Sequence, residues 1–252
     1  MTTPSQTLTL LSAVIAAATL ATLVWLALAL AARIAPRASL TMAASNAATA
    51  LSLTLYALRG VAPDGLTHWP SDVLAVASFA LLGAAVQAIT TRELPWRLAA
   101  LTVTGVALLL LALPSGIDPR WPARIVNGTG AVLTLAAGLF AWRQLSAEGD
   151  GRRAPAPLAL PLFFLSLLLA VRALATVFQP ESTADLRDPT SFNMASLWAS
   201  FVLTMLQNAT LAFLVLMRLV RRIERLLQRD PLTDTLNRRA FDQALEQAHA
   251  WL

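Results

Sequence analysis

The chain has 252 residues, 57% of them hydrophobic and 13% charged; an ordinary soluble domain carries roughly a quarter charged residues, so that class is excluded. It has no Cys, which excludes a disulfide framework, a thiolate metal site and a thiol nucleophile, and all nineteen of its basic residues are Arg, so no lysine amine exists for the Schiff base of a retinal pigment. A net charge of +5 would point to nucleic acid in a soluble protein, but here the Arg residues gather at the ends of apolar blocks, as topology signals, and no nucleic-acid partner is expected.

The apolar blocks are about as long as a helix needs to cross a hydrocarbon core of roughly 30 Å. Read between Pro, Gly and charged breaks, they predict seven spans near Leu8–Ala32, Ser39–Leu58, Asp72–Thr91, Trp96–Leu113, Arg124–Trp142, Leu158–Phe178 and Ala195–Met217. The fold class expected is an all-α polytopic membrane protein in contact with the lipid bilayer. The first block follows no basic residue and exceeds a signal-peptide core, so it reads as a retained helix. The fourth is among the shortest, yet Val106–Leu113 has no polar residue, and it is kept as spanning.

Loop charges predict the orientation. Arg33 and Arg37, Arg92 and Arg97, Arg143, Arg152 and Arg153 fall on one side, together with the Arg-rich segment after the last span. That side is expected to be cytoplasmic, in a bacterial inner membrane, with the N-terminus outside and the C-terminus inside. The opposite loops hold Arg59, Arg120, Arg124 and Arg187 with Asp64, Asp118, Glu181, Asp185 and Asp188. Trp69 and Trp121 fall at predicted outer boundaries and Trp96 and Trp142 at inner ones, where amphipathic rings favour the headgroup level.

Inside the spans, Arg172 is the one charge well away from a boundary. An intramembrane charge is costly and is a functional candidate by default. The bland alternative is snorkelling, because Phe178 is six residues away, about 9 Å at helical rise. Asn46, Gln207 and Asn208 read first as interhelical hydrogen-bonding groups. The sharper reading joins Arg172, Asn208 and Asn127 in a pocket, open to the outer side, for an unknown anionic ligand. Occupancy would then shift the seventh helix. His68 and His249 lie far apart in this topology, and no metal site is expected.

After the last span, Arg218–Arg229 contains no Gly or Pro and reads as a helical stalk. Leu216, Leu219, Ile223 and Leu226 are spaced as the seam of a parallel two-stranded coiled coil, which predicts a homodimer; a basic interfacial helix on anionic lipid is the competing reading. Pro231 then stops the helix. The division is thus residues 1–217, the membrane region; 218–229, the stalk; and 230–252, the start of a second domain.

That last segment reads Asp-Pro-Leu-Thr-Asp-Thr-Leu-Asn-Arg-Arg-Ala-Phe from Asp230 to Phe241. Asp230, Leu232, Thr233, Asn237, Arg238, Arg239 and Phe241 resemble the opening of GGDEF domains, the α/β family of diguanylate cyclases, which make cyclic di-GMP from two GTP. Asp234 stands where that pattern usually has glycine, in a turn that Asp tolerates. The resemblance implies the first helix of a truncated GGDEF domain, with Mg²⁺ and GTP as cofactor and substrate of a complete one. The Gly-Gly-Asp/Glu-Glu-Phe turn is not in this sequence, so there is no catalytic residue to name and the chain alone is expected to be inactive. The implied function is the membrane sensor or regulatory portion of a diguanylate cyclase. A small transporter or membrane enzyme with a chance or degenerate tail is the alternative; it would call for acidic residues along an intramembrane path, and the spans have none away from their ends.

Overall fold

The computed structural model describes residues 4–91, 93–114, 117–118, 120–147, 156–178 and 185–227, which are mostly helical and contain no strand. Among the described residues seven long helices follow one another: α1 (Pro4–Leu30), α2 (Pro36–Ala57), α3 (Trp69–Thr91), α4 (Trp96–Leu111), α5 (Arg120–Ala147), α6 (Leu160–Phe178) and α7 (Ser191–Leu227). One-turn helices at Asp64–Thr67 and Ala156–Ala159 precede α3 and α6. By contacts the chain divides after Leu211 into two units.

Among the described residues, five helical segments are long and apolar enough to cross a membrane: Gln6–Leu30, Asp64–Thr91, Arg120–Ala147, Pro157–Phe178 and Ser191–Val220. Large apolar side chains stand exposed along them, among them Leu20, Leu23, Val132, Leu174, Phe178 and Val202, as contact with lipid requires. The other two depart from that standard for different reasons. Helix α4 has 16 residues, about 24 Å at helical rise, and buries only Leu110. Helix α2 is long enough, but Ser39, Thr41, Ser45, Asn46, Thr49, Ser52 and Thr54 lower its hydropathy.

The polarity of α2 is accommodated by its position. It packs against both α1 and α3, and Ser39, Ser45, Asn46 and Ser52 are buried. Small side chains let helix backbones approach closely, and hydroxyls bond across the contact: Ser45 and Ser52 donate to the carbonyls of Ser78 and Ser71 on α3, each at 2.8 Å. Pro36 opens α2 at a position where its missing N–H costs nothing. The turn before it carries Arg33 and Ala35 at φ 51° and 42°, two non-glycine residues in left-handed backbone.

Helix α3 packs in turn on α5, and α5 on α6. Gly130, Thr134 and Gly138 recur every four residues on α5 and are all buried. A Cβ on Gly130 would lie 2.7 Å from the ring of Phe79 on α3 and 3.1 Å from Leu169 on α6. Ser166 on α6 donates to the Ala131 carbonyl at 2.8 Å. The two helices therefore meet through small residues and a hydroxyl, as α2 and α3 do. The α7 segment up to Leu211 joins this unit through Leu197, which packs with Leu10 and Leu11 of α1.

Candidate functional site

Helices α1, α2, α3, α5, α6 and α7 enclose a cavity of about 400 Å³, within the size range of small-molecule sites. The linker between α2 and α3 and the residues just before α7 lie at one end of it, contributing Arg59, His68, Asp185, Arg187 and Asp188. Its walls are Leu53, Phe79, Leu82, Val126, Leu165 and Leu169, with Asn46, Asn127, Arg172, Gln207 and Asn208 interspersed.

Arg172 enters the cavity because of its place on α6. The buried positions Leu162, Ser166, Leu169, Arg172 and Thr176 follow one helical face, whereas Leu167, Val171, Leu174 and Val177 are exposed on the other. The guanidinium therefore turns into the bundle, 7% exposed, and does not run along the lipid face. One of its nitrogens, Nη1, donates to Asn193 Oδ1 at 3.4 Å, and the group stands 5.7 Å from the centre of the Phe192 ring. Among the described residues no carboxylate lies within ion-pairing distance of it. Burying a cation without an opposite charge carries a penalty on the order of several kcal/mol.

The residues at the loop end are, by contrast, closely matched. Arg59 donates through Nη2 to Asp72 Oδ1 at 2.8 Å and Ser71 Oγ at 2.7 Å, and its guanidinium covers the Tyr56 ring at 4.1 Å. Tyr56 Oη donates to Asp185 at 3.1 Å and accepts from the Leu186 N–H at 2.9 Å, so the end of α2 holds the segment before α7. Arg187 pairs with Asp185 at 2.6 Å and donates to the Arg59 carbonyl, next to Gly60, whose φ of +80° lets the turn form. Asn193 donates to the carbonyls of Asp185 and Asp188. Burial alone would raise the Asp185 carboxyl, but hydrogen bonds from the Arg187 side chain and backbone outweigh it and hold the group below the usual carboxylate range. Asp188 moves upward, through burial and then the neighbouring Asp185 charge.

Deeper in, Asn46 and Asn208 exchange amide hydrogen bonds at 3.0 and 3.1 Å, and Trp25 Nε1 donates to Asn208 Oδ1 at 2.7 Å. This ties α1, α2 and α7 at one level. Gln207 is 7% exposed and lines the cavity, with no side-chain hydrogen bond among the described residues. Asn127 also lines the cavity and donates to the Ala123 carbonyl of its own helix at 2.8 Å.

Arg172, Asn127 and Asn208 thus line one space. Asn208 also makes the interhelical bonds expected of a polar group in a span, so both of its readings describe the same side chain. Tyr56, Asp72 and Asp185 did not stand out in the sequence as cavity residues, and Arg59, His68 and Arg187 read there only as loop residues. The signal was weak: Tyr56, the one tyrosine, sits at a span end, where an aromatic ring ordinarily marks the membrane boundary.

Of the stalk seam, Leu216 and Ile223 are exposed and Leu219 is half-buried; the side chain of Leu226 lies outside the described residues. The motif residues Asp230, Leu232, Thr233, Asn237, Arg238, Arg239 and Phe241 lie outside them too. No cluster of three or more metal-ligating side chains occurs among the described residues. No family model matches the chain, and no curated protein or solved structure is significantly similar to it.

Proposed function

We propose that this chain is the membrane sensor and regulatory portion of a diguanylate cyclase. It would cross a bacterial inner membrane seven times, with its N-terminus outside and its C-terminus in the cytoplasm. The observation that carries the reading is the motif from Asp230 to Phe241, placed directly after α7. In support, α7 is one helix that bears Ser200, Thr204, Gln207 and Asn208 on the cavity and continues to Leu227. A ligand that favours one placement of α7 over another would thereby bias the stalk, and a bias of that kind is all that ligand control needs.

In this reading the cavity is the sensory site, with Arg172, Asn127 and Asn208 holding an anionic ligand that arrives from the periplasmic side. The stalk pairs two copies through Leu216, Leu219, Ile223 and Leu226, and pairing matters because joining two GTP molecules needs two loaded sites face to face. Mg²⁺ and GTP would be held by the Gly-Gly-Asp/Glu-Glu-Phe turn and the carboxylates of a complete domain. This sequence contains no such turn, so no catalytic step is assigned to its residues. The transporter reading gains no support from the cavity acids, because Asp72 and Asp185 are each held by an arginine.

The test is the coding sequence past Leu252, followed by cyclic di-GMP measurement in cells expressing the whole gene product. An in-frame Gly-Gly-Asp/Glu-Glu-Phe turn and a rise in cyclic di-GMP are expected. A stop codon after Leu252 would defeat the cyclase reading.

A further inference from the structure

Three guanidiniums face the cavity, those of Arg59, Arg172 and Arg187. Asp72 answers the first at 2.8 Å and Asp185 the third at 2.6 Å. Arg172 is the least exposed, and its single hydrogen bond among the described residues, at 3.4 Å, goes to a neutral amide oxygen. Among the described residues one buried cation is therefore left without an opposite charge, which a bound anion would supply. The remaining lining carboxylate, Asp188, sits in the partly exposed segment before α7, where solvent screens it. A second cationic group on the ligand would gain little there. By local pairing the unanswered charge is that of Arg172, and one negative charge beside it would balance it.

The walls describe the rest of the ligand. The apolar lining is mainly Leu53, Phe79, Val126, Leu165, Leu169 and Leu197, which rewards an apolar body. Farther along, Gln207 presents an amide with no protein partner among the described residues. Fourteen residues of α7, roughly 21 Å of helix, separate Asn193, which touches Arg172, from Gln207.

We infer that the cavity takes a small organic monocarboxylate, its carboxylate on the Arg172 guanidinium and its apolar body along the leucine-lined wall toward Gln207. This names the ligand class of the site proposed above and rests on that reading only for its use in signalling. The carboxylate accepts two N–H donors from the guanidinium, a bidentate geometry that an amide or an ammonium head cannot reproduce.

The test uses the chain in phosphatidylcholine nanodiscs, with empty discs as reference, and three probes sharing one body: phenylbutyrate, phenylbutyramide and phenylbutylamine. Calorimetric titration is expected to show phenylbutyrate binding at least about tenfold tighter than the other two, and only phenylbutyrate is expected to raise the unfolding temperature. Arg172→Gln abolishes that preference, and Arg172→Lys retains part of it. Equal binding of the three heads to the wild-type chain overturns the inference, and this comparison stands even if the glutamine variant does not fold. Loss of phenylbutyrate binding in phosphatidylglycerol discs would assign Arg172 to a lipid headgroup and overturn it too. Because the titration does not involve the cyclase domain, its failure leaves the Asp230–Phe241 reading untouched. A stop codon after Leu252 leaves the binding result untouched.

Discussion

At the scale of single residues, the two acids before α7 should respond to pH in opposite senses. Asp185 is held below the ordinary carboxylate range by Arg187, against the effect of burial. A depressed folded pKa adds stability that is complete above the unfolded value, about 3.9, and is lost as pH falls through the folded one. Asp185→Asn should therefore lower the unfolding free energy at neutral pH by about 1 kcal/mol, a modest figure because the pair is partly in water. Its gap from wild type should close in thermal melts taken below roughly pH 4. Asp188 has a raised pKa, so ionising it opposes folding as pH rises, and Asp188→Asn should leave neutral-pH stability unchanged or slightly higher. A loss for Asp188→Asn as large as that for Asp185→Asn would contradict the account. Arg172 was legible in the sequence as the one charge well inside a span, but its nearness to Phe178 left snorkelling open, and only its burial on the inner face of α6 decides between the two. The Tyr56–Asp185–Arg187–Arg59 clasp was not, since its members lie far apart along the chain and each has a plausible surface role.

At the scale of helices, length and apolarity located the blocks, while the contacts between them stayed hidden. Helix α2 read as an ordinary span, although its Ser, Thr and Asn content marks a helix that other helices shelter. The Gly130–Thr134–Gly138 row on α5 carried a signal in its four-residue spacing, but small residues also suit a lipid face, and spacing alone does not name the partner. Gly130→Ala would force the Phe79 ring aside, at a cost of about 1–3 kcal/mol. Gly105→Ala meets nothing within 4 Å and should gain up to about 1 kcal/mol from helix propensity. Parallel SDS-unfolding curves for the two variants decide this; equal shifts would mean that α5 does not pack on α3 and α6 as described. Asn208→Leu tests a second contact, because it removes both Trp25 and Asn46 from their partner. A loss of about 0.6–1.7 kcal/mol, from the mean to the largest value found for bonds of this kind in membranes, is expected in the same assay.

At the scale of the whole molecule, the claim most exposed to refutation is pairing through the stalk. A parallel two-stranded seam sets equivalent residues of two copies against each other, so a single cysteine at a seam position faces its own counterpart. The chain has no cysteine of its own, which makes every single-cysteine variant a clean reporter. Leu216 and Ile223 are exposed and stand two turns apart on α7, whereas Leu214 is only 4% exposed. Under mild oxidation in native membranes, Leu216→Cys and Ile223→Cys should run as disulfide-linked dimers on non-reducing gels, and Leu214→Cys as monomer. The competing interfacial helix would lay the stalk on anionic headgroups through its arginines; it predicts no preference among the three positions and a strong loss of order in neutral lipid. Seam-specific cross-linking that survives in phosphatidylcholine would favour the dimer, because lipid charge would then contribute nothing to the contact. Uniform or absent cross-linking would remove the dimer, and with it the route by which a ligand at Arg172 could bring two output domains together.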